Sequence, residues 1–223
     1  MSHFQDDILR VKREIYGMCS MVVTAIDRAM DAFLNSDAEL AKDVIAEDKQ
    51  IDVRENTIDA HVLRLLALHQ PYADDFRFII TAIKVIHSLE RIGDHAKALC
   101  RCVVALSDTG YPVPASVKHL ANLVPDMVQD AVRALQNDDP ELANEVRQRD
   151  PQVNAAYGET MATYGQHAEQ KPEDVHKVLR LCEAMKHLER CGDVAKNICK
   201  DVLYNVEGVS VRHGGKTEDA PAS

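Results

Sequence analysis

Tryptophan is absent from this chain of 223 residues, and aromatic residues of all kinds make up 4% of it. Glycine and proline number only 9 and 8. Sheets draw on aromatic and β-branched residues and on turns rich in Gly and Pro. This poverty argues against a β-sandwich and for helices packed by Leu, Ile, Val, Met and Ala. No stretch reaches the roughly 18 uninterrupted apolar residues of a membrane span. The charged start, MSHFQDDILRVKRE, has no apolar run behind it and is not expected to be a signal peptide. Basic residues are outnumbered 26 to 36, for a net charge of −10. No broad basic face is available to neutralise a phosphate backbone, so nucleic acid is not an expected partner. Cys-x-x-Cys pairs and Gly-rich phosphate loops are missing too. The chain is expected to be soluble and cytoplasmic, with no direct membrane insertion and with its six cysteines reduced and buried as small hydrophobes.

What is present is hydrophobic residue at 46%, laid out with helical spacing. Phe4, Ile8, Val11, Ile15, Met18, Val22, Ala25, Ala29 and Phe33 recur every three or four residues as one stripe. Ser36-Asp37-Ala38-Glu39 predicts a capping box with Ser36 at the N-cap of a second helix. That helix carries Leu40, Val44, Ile51, Ile58, Val62 and Leu65 and stops before Pro71. A third begins near Asp74 and continues to Val103. The stretch 107–114 holds Gly and two Pro and is expected to be a linker.

The pattern then restarts. A fourth helix follows Val117 to Leu135, with Pro125 as a kink, and Asp138-Asp139-Pro140-Glu141 recreates the cap. The fifth helix ends near Ala168 and is the least regular, with Pro151, Gly158 and Gly165. The sixth spans about 173–206, and a tail follows. Glu39-Leu40-Ala41-Lys42-Asp43-Val44 matches Glu141-Leu142-Ala143-Asn144-Glu145-Val146 at an offset of 102. Leu89-Glu90-Arg91-Ile92-Gly93-Asp94 matches Leu188-Glu189-Arg190-Cys191-Gly192-Asp193 at 99, and Lys97 matches Lys196 at the same offset. Residues 1–110 and 111–223 each carry 13 basic and 18 acidic side chains. The expected fold is all-α: two repeated three-helix bundles over 1–108 and 109–206, with a tail at 207–223.

Some acids break the helical rule. Glu55 lies on the apolar stripe between Ile51 and Ile58, with Asp52 and Asp48 one and two turns earlier. Glu90 follows Ile79, Ile83 and Ile86, and Asp94 is one turn further. Carboxylates four apart share a helical face and repel one another unless solvent, arginine or a cation intervenes. Convergent carboxylates on adjacent helices suit hard or borderline ions such as Mg, Mn and iron. Gly93, costly inside a helix, fits a close approach of another helix or a ligand. Recurrence of Leu-Glu-Arg-x-Gly-Asp at matching points of two repeats points to a metal site or another shared structural role.

Taken together, Asp48-x-x-Ile51-Asp52-x-x-Glu55, Gln70-Pro71-x-Ala73-x-Asp75-Phe76-Arg77, Glu90-Arg91-Ile92-Gly93-Asp94 and its copy at 189–193 resemble the PhoU family. Val206-Glu207-Gly208 and Arg212-His213-Gly214-Gly215 add to the likeness, which covers about residues 4–213. The resemblance implies two similar three-helix bundles with pseudo-twofold symmetry, whose Glu/Asp-x-x-x-Asp motifs bind metal ions (iron, Mn, Mg or Zn). It implies a negative regulator of phosphate uptake and of the phosphate-starvation response. Such a protein is not an enzyme. Its implied partners are the transporter's ATPase subunit and the phosphate-sensing histidine kinase, and a homodimer is the expected assembly. Carried over by residue, the first site would use Asp48, Asp52, Glu55, Glu90 and Asp94, and the second Asp150, Glu189 and Asp193. Asn154 replaces Asp52 in the second repeat, Tyr157 replaces Glu55, and Pro151 sits beside Asp150. The second site is therefore expected to be the weaker.

Rival readings are a carboxylate-bridged metalloenzyme and a metal-free helical scaffold. A ferritin-like site needs two Glu-x-x-His motifs, and only Glu173-x-x-His176 occurs. His87 is expected to be a surface or capping residue, as are His61, His69, His95, His119 and His187. Arg91 and Arg190 are expected to form ion pairs across the bundle.

Overall fold

The computed structural model describes residues 3–107, 113 and 115–208, apart from the side chains of His3 and Ser116. Six helices follow one another: α1 (His3–Asn35), α2 (Ala38–Leu68), α3 (Ala73–Leu106), α4 (Ala115–Asn137), α5 (Pro140–Gln170) and α6 (Val175–Glu207). No strand occurs among the described residues. Within each repeat the three helices pack on one another, and equivalent helices meet across the repeats, α3 against α6 and α1 against α4. The α3–α6 contact is the most extensive in the molecule. Pairing of like with like is what pseudo-twofold symmetry requires. The expected all-α pair of three-helix bundles is therefore the observed fold.

Apolar residues from all six helices form one continuous core rather than two. Met18, Leu89, Met127 and Leu188 are fully enclosed in it. Five cysteines are buried and Cys182 is half-buried, all as free thiols. Burial pushes Cys19, Cys100 and Cys199 up to about 12, which leaves them inert as nucleophiles.

The caps differ from the expected box. Ser36 adopts a left-handed φ of 54°, and Asp37 is the N-cap of α2. Its Oδ1 accepts from the N–H of Glu39 at 3.1 Å and of Leu40 at 3.0 Å. The connection from α1 to α2 has only two residues. Ser36 is consumed in closing α1, where the next amide, Asp37, donates to Ala32 O at 2.8 Å. An N-cap must be extended, so that role falls to the following residue. The second repeat solves the same problem in the same way, with Asp138 at φ 49° and Asp139 as the cap. α6 also starts later than expected, because Pro172–Asp174 form a 3-10 turn ahead of it. It ends at Gly208, whose φ of 71° suits a residue without a Cβ. Most of the expected linker (108–112 and 114) and the tail from 209 lie outside the described residues.

Candidate metal centre

α2 and α3 run side by side, and Gly93 permits their approach. A Cβ there would meet Ile51 Cδ1 at 3.0 Å and Asp48 Oδ1 at 3.6 Å. The close approach expected of Gly93 is thus observed, and it brings Asp48 of α2 beside the Glu90–Asp94 pair of α3. At Gly192 the corresponding contacts, to Val153, begin at 3.5 Å, an ordinary distance.

The structure places the five acids of the first site near one another, without closing three of them on one point. Asp48 is only 6% exposed. Lys97, one turn beyond Asp94, places its Nζ 2.5 Å from Asp48 Oδ2 and 2.6 Å from Asp94 Oδ1. Burial raises Glu90 to about 7, helped by a hydrogen bond with Asp94 and by the charges of Asp94, Glu55 and Asp52. Burial works against ionisation of Asp94, but hydrogen bonds from Lys97 and Glu90 hold it below the usual carboxylate range. His87 Nδ1 lies 2.6 Å from Glu55 Oε1. It is a surface residue, as expected, yet it also borders the site.

The second repeat copies this with fewer acids. Lys196 Nζ stands 2.7 Å from Asp150 Oδ1 and 3.1 Å from Asp193 Oδ1. Burial raises Glu189, as does the nearby Asp193 charge. Asn154 donates through Nδ2 to Asp150 Oδ2 at 3.4 Å. Tyr157 has Glu189 as an electrostatic neighbour, and burial raises its hydroxyl. Asp150 and Asp193 thus share one lysine, and Glu189 is an electrostatic neighbour of both, without the three closing on a common point. Arg190 departs from expectation. Its ion pairs, 3.6 Å to Glu189 and 3.6 Å to Asp193, run along its own helix. Three and one residues apart on α6, these acids lie within its reach without crossing the bundle.

Lys97 and Lys196 match between the repeats, yet the sequence pattern alone assigns them no role. Their signal was position: three residues after a motif Asp, on the same face. His95 and His187 also differ from the expected surface or capping residues. They meet between α3 and α6 with Nδ1 atoms 3.3 Å apart. Burial and the neighbouring His187 and Arg91 lower His95 to about 4.

Among the described residues, no three carboxylate, imidazole or thiol side chains converge tightly enough to enclose an ion as they stand. The cation among the carboxylates is the lysine ammonium. The donor set is all hard oxygen, in carboxylates from two helices, and it fits a hard divalent ion once that ammonium withdraws.

Comparison with known proteins identifies the lineage. The sequence profile described as the PhoU domain matches twice, over residues 15–103 and 117–202.

The chain belongs to the PhoU family.

A phosphate-specific transport system accessory protein PhoU homolog of Pseudomonas aeruginosa is 34% identical over 216 residues, covering 96% of this chain and 89% of that one. The PhoU protein of Escherichia coli is 30% identical, covering 96% and 90%. The crystal structure of PhoU from Pseudomonas aeruginosa superposes with a TM-score of 0.90 at 33% identity, covering 93% of this chain and 100% of that one. The phosphate transport system regulatory protein PhoU from Streptococcus pneumoniae shares the fold, with a TM-score of 0.88 at 24% identity over 95% of this chain and 100% of that one. Both PhoU matches include a Glu-x-x-x-Asp motif, Glu90–Asp94 in the first and Glu189–Asp193 in the second. No helix among the described residues is long and apolar enough to cross a membrane.

Proposed function

We propose that this chain is a cytoplasmic regulator of phosphate transport, acting by protein–protein contact rather than catalysis. Support comes from membership of a family whose curated relatives are accessory proteins of phosphate-specific transport. In this reading it restrains phosphate uptake and the phosphate-starvation response. It links the transporter's ATPase subunit to the phosphate-sensing histidine kinase, and it assembles as a homodimer. Asp48, Asp52, Glu55, Glu90 and Asp94 hold metal in the first repeat, and Asp150, Glu189 and Asp193 hold it in the second. A hard ion such as Mg²⁺ or Mn²⁺ suits these oxygens, and iron is also compatible. The single observation that supports the metal reading is the double gathering of carboxylates from two helices, Asp48 with Asp94 and Asp150 with Asp193, each pair close enough to share one cation.

Deletion of the gene should switch on phosphate-starvation genes at high phosphate; an unchanged response would reject the regulatory role. The tagged protein should retain the ATPase subunit and the kinase from detergent extracts, and light scattering should give the mass of a dimer. Metal analysis before and after chelation tests the site. A metal-free scaffold is the second reading. It is favoured by the fact that each repeat already places a lysine of its own between two motif acids. An unchanged melting temperature on adding Mn²⁺, Mg²⁺ or iron would decide for it.

A further inference from the structure

We propose that Lys97 and Lys196 are tethered competitors of the metal ion: each ammonium fills the cation position of its repeat, and metal enters only by displacing it. This rests on the metal reading above. The geometry is the same in both repeats. One lysine, three residues after the motif Asp on α3 or α6, reaches back to that Asp and across to an Asp on α2 or α5. In the first repeat the bridge is Asp48–Lys97–Asp94, and in the second it is Asp150–Lys196–Asp193.

Two helices are thereby joined through a charge that belongs to neither acid. The lone pairs taken up by the ammonium are those a divalent ion would need in order to span the same two carboxylates. Two cations cannot share them, because at contact distance in a partly buried site their repulsion is strong. Occupancy is therefore exclusive. Without metal, the lysine offsets part of the acids' charge and bridges the paired helices, and Lys97 is only 18% exposed. With metal, the lysine must swing out, so each repeat gains an exposed positive charge at its motif. Metal loading then alters the surface that a partner reads, with no movement of helices required.

The test uses the full-length chain stripped with chelator. Mn²⁺ binding is measured by calorimetry for wild type, Lys97→Gln and Lys97→Arg. Gln removes the charge at similar length, while Arg keeps it. Lys97→Gln should bind Mn²⁺ about tenfold tighter or more, the factor matching the net worth of one charge-assisted hydrogen bond. Lys97→Arg should stay near wild type. In parallel, amine acetylation of wild type, read by mass spectrometry, should label Lys97 and Lys196 faster with Mn²⁺ than without. That second measurement stands even where Lys97→Gln fails to fold. Binding by Lys97→Gln but not by wild type would support competition. Mn²⁺ binding by wild type with no tightening in Lys97→Gln, or with unchanged acetylation, would overturn competition and leave the metal reading intact. Absence of binding in all three proteins would overturn both.

Discussion

Glu90 holds its proton to about pH 7, against an ordinary value of 4.5, because it is partly buried among Asp94, Glu55 and Asp52. A carboxyl raised in the folded state favours folding fully below its unfolded value, and that contribution fades as pH climbs through the folded value. His95 works in the opposite sense: lowered from 6.5 to about 4, it favours folding at high pH and loses that contribution on acidification. The two slopes partly cancel, so the difference between variants is the informative quantity. In chelator, Glu90→Gln should gain stability relative to wild type as pH rises from 5 to 8, by urea titration at each pH; a constant difference would show that Glu90 titrates normally. The two motif glycines should also part company. Gly192→Ala meets ordinary contacts and should gain up to about 1 kcal/mol from helix propensity. Gly93→Ala must push aside the buried Ile51, at an overpacking cost of about 1–3 kcal/mol, and should lose stability overall. Equal denaturation midpoints for the two would contradict the tighter packing of the first repeat.

At the scale of the element, the first two helices of each repeat are joined by a two-residue turn that the chain builds twice. Ser36 and Asp138 take the left-handed position, and Asp37 and Asp139 the extended cap. Asp37→Ala should therefore cost about 1 kcal/mol, the usual loss for an N-cap acid. Ser36→Ala should cost little, since its hydroxyl caps nothing in α2, and Ser36→Gly should stabilise by about 0.5–1 kcal/mol by relieving the positive φ. A loss of cap size on Ser36→Ala would restore the expected capping box. Helix existence was legible throughout, because 3.6-residue periodicity depends only on which residues are apolar. The cap slipped by one residue because a turn of two must both end α1 and start α2. That steric constraint is invisible to a motif counted from one helix alone.

Across the whole molecule, the shared core makes the repeats one cooperative unit. α3 and α6 present their faces to each other, and Lys84 reaches from α3 to Asp201 at 3.6 Å and lies 4.6 Å over the Tyr204 ring of α6. Either repeat alone would expose that face to water, at about 25 cal/mol per Å² of apolar surface. Calorimetry should therefore show a single unfolding transition with equal calorimetric and van't Hoff enthalpies. Two separable transitions would mean that each bundle is stable by itself.

Periodicity and repetition in the sequence by themselves determined six long helices and two repeats, while the family came from the likeness of its motifs. Those features depend on residue type at fixed spacing along one chain. The misplaced acids were legible for the same reason: a carboxylate on an apolar stripe is conspicuous whatever it faces. Tertiary structure alone decided what stands between those acids. Lys97 lies 49 residues from Asp48 and Lys196 lies 46 from Asp150. A long flexible side chain declares its partner only when a second helix is laid beside it, and so the cation in each motif is a property of packing.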